Sequence, residues 1–87
     1  MHYVYILQSL KTGRYYIGST NDVRRRLGEH NSGSTPSLKH QRPLALVFRK
    51  GYSVASEAKA VERKLKRYKS RSILERIISE KDILMGP

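Results

Sequence analysis

Between Tyr15 and His30 the chain reads YYIGSTNDVRRRLGEH, which gathers phenols, guanidiniums and an imidazole into one short stretch. Arg26 precedes His30 by one helical turn, so on a helix both side chains face the same way. A guanidinium suits phosphate better than an ammonium does, because its planar fork makes two charge-assisted hydrogen bonds. An imidazole changes charge near neutrality and can relay a proton or touch a phosphate. A phenol ionises only near pH about 10, so a tyrosine acting as a base needs positive charge nearby or a metal-bound water. Downstream, in SEAKAVERKLK, Glu62 is a carboxylate whose helix neighbours are basic. Mg2+ is often held by one or two carboxylates with waters and substrate phosphate oxygens, so Glu62 fits one divalent cation rather than a pair. Phosphodiester hydrolysis asks for this set: a deprotonated nucleophile, charge at the phosphoryl oxygens and help for the leaving oxygen.

Each residue also has a plainer reading. Two strand tyrosines are ordinary cross-strand aromatics, and a histidine on an apolar stripe is an ordinary packing residue at a helix end. Glu62 fits equally an ion pair with Lys66 at i+4 or Lys59 at i−3. Arg24, Arg25, Lys64, Lys66, Arg67 and Lys69 serve either as a solvated face or as contacts to a nucleic-acid backbone.

The elements that must position these groups follow from periodicity. His2–Leu10 is a short apolar run rich in tyrosine and β-branched residues, which predicts a strand. Lys11–Arg14 predicts a turn with Gly13 at positive φ, and Tyr15–Gly18 a second strand. An antiparallel pairing of Ile6 with Tyr15 and Val4 with Ile17 makes one face apolar and sets Tyr5 opposite Tyr16. Thr20 or Asn21 is placed to cap a helix over Asp22–Asn31, with Val23, Leu27 and His30 on its stripe, Arg26 beside it, and Arg24 and Arg25 outward. Asn31–Pro43 is polar and aperiodic, a loop, and its part from Ser32 to Arg42 is a candidate lid or specificity element. Leu44–Arg49, nearly all apolar, predicts a central third strand. Ser53 opens a second helix whose stripe is Val54, Ala58, Val61, Leu65 and Tyr68. Residues 59–71 carry seven Lys or Arg against one Glu, a cationic outer face. Ser72 and Glu75 have capping-box spacing before a third helix whose apolar side is Ile73, Leu74, Ile77 and Ile78. KDILMGP is expected to fray or pack loosely. The order ββαβαα predicts an α+β fold, a small sandwich of a three-stranded antiparallel sheet flanked by helices.

Composition sets the bounds. The 87 residues fit a single domain over 1–87 with a thin core. No cysteine is present, which excludes disulfides, thiolate metal sites and cysteine nucleophiles. That absence, with no signal-like or membrane-spanning run of roughly 20 apolar residues, points to the cytoplasm and away from membranes. A formal charge of +11 favours a polyanion, with nucleic acid the leading partner.

The sequence resembles the GIY-YIG nuclease family, most of all its small stand-alone members. The first motif reads Tyr3-Val4-Tyr5, with tyrosine where the family has glycine, and the second is intact as Tyr16-Ile17-Gly18. The spacing of Tyr5 and Tyr16, the Arg26 and His30 of RRRLGEH, and Glu62 match in order. The resemblance covers Tyr3 to about Ile78. It implies hydrolysis of phosphodiester bonds in DNA, with RNA a weaker alternative that no residue here separates from it, using one Mg2+ or Mn2+, in repair or recombination. By the same resemblance, Tyr5 helps activate the attacking water and Tyr16 orients the phosphate or shares the proton transfer. Arg26 neutralises developing charge, and Glu62 holds the cation. An alternative is a nucleic-acid-binding module that keeps the architecture without turnover. Larger relatives carry a separate recognition domain. The expectation here is that specificity comes from a protein partner.

Overall fold

A computed structural model describes residues 1–33, 40–68 and 70–81. Its elements are β1 (His2–Ser9), β2 (Tyr15–Thr20), α1 (Val23–Ser32), β3 (Leu44–Tyr52), α2 (Ala55–Tyr68) and α3 (Arg71–Glu80). The fold is α+β in the order ββαβαα, as the pattern predicts. The sheet is antiparallel throughout, with strand order β2-β1-β3.

The central strand is β1, not the Leu44–Arg49 segment that its apolar run suggested. Val4, Tyr5, Ile6 and Leu7 are all buried in succession, which requires cover on both faces. β3 lies at an edge, and only Leu44 and Phe48 of it are fully buried. A bulge sits where Ile6 pairs with Phe48 but Leu7 pairs with Leu46, leaving Val47 extra. This bulge turns Leu46 and Phe48 to opposite faces although their spacing alone would put them together. Leu46 packs with Tyr5, Leu7, Leu44, Tyr16 and the α1 residue Leu27. Phe48 packs with Val4 and Ile6 against Ala58 and Leu65 of α2 and Leu74 and Ile77 of α3. One face of the sheet is thus covered by α1 and the other by α2 and α3.

The hairpin register differs from the sequence expectation by two residues. Ile6 pairs with Ile17, Leu7 with Tyr16 and Tyr5 with Gly18, so Tyr5 does not face Tyr16. The cause lies in the loop. Ser9 N donates to Arg14 O at 2.8 Å, Gly13 N donates to Ser9 O at 2.8 Å, and Gly13 takes φ +80. Ser9 Oγ accepts from the amides of Lys11 and Thr12, which fixes a four-residue loop in place of the tighter turn the expected register needs. A two-residue shift keeps every side chain on its face. The apolar set Val4, Ile6, Tyr15 and Ile17 therefore survives intact.

Helix ends differ by a residue or two. Asp22, rather than Thr20 or Asn21, caps α1 by accepting from Arg25 N at 3.1 Å. α2 begins at Ala55, and Val54 and Tyr68, the ends of its predicted stripe, are exposed. Ser70 caps α3 in place of the Ser72–Glu75 box. Glu75 instead pairs with Arg71 at 2.9 Å. Most of the Ser32–Arg42 loop, Lys69, and the tail after Lys81 lie outside the described residues.

Candidate functional site

The site is built around the outer strand β2. Gly18 stands directly across from Tyr5, and the Tyr5 ring lies over it: a Cβ on Gly18 would overlap the Tyr5 hydroxyl. The motif glycine therefore does steric work, because its missing side chain is where the phenol ends. The Tyr5 hydroxyl lies 3.2 Å from His30 Nε2, with the two rings tilted at 48°. Tyr5 is 6% exposed and His30 7%, so the pair is nearly dry. Val23 and His30 are the buried residues of α1, which is how the helix stripe brings the imidazole down onto β1.

Electrostatics set the protonation of this pair. Burial raises the Tyr5 pKa above 10.0; the Arg26 charge opposes that, and the Glu62 and Glu29 carboxylates add to it. Burial also lowers the His30 pKa below 6.5, helped by Arg26 and opposed by Glu29. At neutral pH the pair is a phenol beside a neutral imidazole, and the phenol can donate to a ring nitrogen that carries no proton. Arg26 is close enough for its charge to act on both. Its Nε is buried without a hydrogen bond, 3.8 Å from the Glu29 carboxylate. The rest of the Arg26 side chain is partly exposed.

Tyr16 is half-buried on the same face of the sheet, opposite Leu7 and packed beside Tyr5 and Leu44. Glu62 approaches from the other face. Strand alternation turns Gly18 toward α1 and Ser19 toward α2. Ser19 Oγ donates to Glu62 Oε1 at 2.6 Å, while the Lys66 ammonium sits 2.8 Å from Oε2. The step from Gly18 to Ser19 at the sheet edge thus joins the phenol side to the carboxylate side, and the Glu62 charge is felt at Tyr5. The i,i+4 pairing with Lys66 expected as the plainer reading of Glu62 is present. Burial pushes the Glu62 carboxyl up, but hydrogen bonds from Lys66 and Ser19 and the charges of Lys66 and Lys59 outweigh it. Its pKa falls below 4.5.

An ionised carboxylate beside a hydroxyl is a hard oxygen donor set. Among the described residues no group of three or more His, Cys, Asp or Glu could hold a metal ion. A cation at Glu62 would therefore take its remaining ligands from water and phosphate, which fits Mg2+ or Mn2+. Glu62 opens onto a surface cavity of about 390 Å³ lined also by Ser56, Lys59, Arg63 and Lys66. Arg63 was not singled out from the sequence, its i+1 position after Glu62 being the available signal, while Lys59 entered there only as an ion-pair partner of Glu62. Arg24, Arg25, Lys64 and Arg67 are exposed. Arg25 is engaged with Asn21 at 3.2 Å and Glu29 at 3.7 Å.

The family model of the GIY-YIG catalytic domain matches residues 1–75. The chain belongs to the GIY-YIG family, a family of nucleases. Within it, the chain is similar to small proteins named UPF0213. The one from Streptococcus pneumoniae serotype 4 is 42% identical over 79 residues, spanning 90% of this chain and 78% of that protein. The one from Halobacterium salinarum is 37% identical over 67 residues, spanning 76% and 86%. The solution NMR structure of the UPF0213 protein from Bacillus halodurans has the same fold, with TM-score 0.58 and 37% identity over 92% of this chain and 84% of that one. Among the described residues no helix is long and apolar enough to cross a membrane.

Proposed function

We propose that this protein is a metal-dependent endonuclease that hydrolyses phosphodiester bonds in DNA. The observation that carries the reading is that adjacent residues of the β2 edge serve the two faces: Gly18 lies under the Tyr5–His30 pair, near the Arg26 charge, and Ser19 anchors the Glu62 carboxylate on the other face. A phosphate at that edge would have Arg26 on one side of the strand and the Glu62 cavity on the other. Arg26 would bind a phosphoryl oxygen through donors the fold leaves unused. Tyr5 would take the proton of the attacking water as its own passes to His30, whose neutral ring is the form able to accept it. Tyr16, on the same face, would orient the phosphate. Lys59, Arg63 and the exposed arginines of α1 would hold flanking phosphates. A divalent cation at Glu62, when bound, supplies Lewis-acid stabilisation of phosphoryl charge.

The test is a cleavage panel of single-stranded, duplex, flap and junction DNA, with RNA alongside, in Mg2+, Mn2+ or chelator. Ion-dependent DNA cleavage is expected, lost in Glu62→Ala and Arg26→Ala variants whose circular dichroism is unchanged. Failure to cut any form with either ion, or full activity in Glu62→Ala, overturns the reading. Salt-sensitive binding without cleavage would select the non-catalytic module instead.

A further inference from the structure

Both oxygens of the Glu62 carboxylate are already engaged within the chain, and the two engagements differ in kind. Ser19 offers a short neutral hydroxyl from a strand, 2.6 Å from Oε1. Lys66 offers a full charge, 2.8 Å from Oε2, on a flexible four-carbon stem. The Lys66 side chain is 56% exposed while that of Glu62 is 19% exposed, so the lysine can swing into solvent and the carboxylate cannot follow. Lys66 also lines the cavity through which an ion would reach the carboxylate. An ammonium within hydrogen-bond distance of an oxygen excludes a divalent ion from the same approach, by volume and by like charge.

We infer that Lys66 sets the affinity of the cation site, occupying the Glu62 oxygen that a divalent ion needs and leaving when the ion binds. The inference rests on the assignment of Glu62 as cation ligand made above. The apparent dissociation constant of such a site is the intrinsic one divided by the fraction of molecules whose carboxylate is open. Partly exposed ion pairs are weak, so Lys66 closes the site for a majority of molecules without blocking it. Ser19 holds the carboxylate at the sheet edge in both states, so that removing the lysine leaves Glu62 in position.

The test measures Mn2+ binding to the intact chain by the EPR signal of the free ion, with no nucleic acid present. Lys66→Met is expected to tighten Mn2+ binding about two- to sixfold, the reciprocal of an open fraction near one half to one sixth. Lys59→Met removes an equal charge from the same cavity without touching Oε2, and is expected to change affinity less than about twofold. Lys66→Arg should bind as the parent does. An unchanged affinity in Lys66→Met, or an equal gain in Lys59→Met, overturns the inference, the latter by showing that charge at a distance suffices. Glu62→Gln should abolish the binding. If Mn2+ binds Glu62→Gln as well as the parent, the ligand assignment itself fails. If Lys66→Met tightens binding while no variant cuts DNA, the competition stands and the nuclease reading falls alone.

Discussion

Tyr5 and His30 hold one another in a nearly dry setting, and that setting dictates how each responds to pH. The fold lowers the His30 pKa below 6.5, first by burial and then through Arg26. A depressed pKa means the neutral ring is the form the native state favours. Its contribution to stability is present above pH 6.5 and disappears as pH falls through the lower folded value. The proton-accepting ring is the same neutral form. Cleavage should therefore keep its rate down past pH 6.5 and lose it only below the folded pKa. An NMR titration of His30 beside a pH–rate profile tests this, and an acid limb above pH 6.5 would exclude His30 as the acceptor. Tyr5→Phe separates chemistry from packing at the same place. It keeps the ring over Gly18 and removes one buried hydrogen bond, which costs about 0.5–1.5 kcal/mol of stability by denaturant melts. Loss of the acid–base group should slow cleavage about 10²- to 10⁴-fold. A Phe variant that cuts normally would return Tyr5 to the role of a core aromatic.

At the scale of elements, the join between β1 and the edge strand decides whether a site exists. A methyl group at Gly18 collides with a phenol that has nowhere to go, since Tyr5 is buried. Gly18→Ala should destabilise the protein by about 1–3 kcal/mol, the usual cost of overpacking. In a Tyr5→Ala background much of that cost should vanish, and a double-mutant cycle by chemical denaturation reads the coupling directly. Additivity would place the strain elsewhere. Much of this arrangement was legible in the chain. Alternation put Val4, Ile6, Tyr15 and Ile17 on one side, and the α1 stripe brought His30 inward. The register was not legible, because the loop hydrogen bonds of Ser9 and the left-handed Gly13, rather than side-chain pattern, choose between pairings two residues apart. Nor was the central strand, because the apolar run of β3 outweighed the mixed composition of β1. The Ser19–Glu62 bond spans 43 positions, and no local pattern encodes a contact of that range.

Charge belongs to the whole molecule. The excess of eighteen Lys and Arg over seven Asp and Glu draws any polyanion. The fold arranges part of it about the β2 edge. α1 covers the Tyr5 side with Arg24 and Arg25 exposed, and α2 covers the Ser19 side with Lys59 and Arg63 lining the Glu62 cavity. A backbone laid along that edge would meet cations from both helices. α3 begins with Arg71 over the Tyr15 ring of β2, at 4.9 Å, and packs also on β3, at the opposite edge of the sheet; its Arg76, farther along the helix, is exposed. Replacing Lys59, Arg63 or Arg76 by glutamine removes the same charge, so the three differ only in place. Each true phosphate contact contributes about 0.9 to the slope of log affinity against log salt. Lys59→Gln and Arg63→Gln should each weaken oligonucleotide binding and flatten that slope by about 1, while Arg76→Gln leaves it unchanged. Fluorescence anisotropy of a labelled oligonucleotide over a salt series measures all three. Equal flattening by Arg76→Gln would mean that the charge acts as a diffuse cloud, and that the path of the nucleic acid does not follow the β2 edge between the Tyr5 face and the Glu62 face.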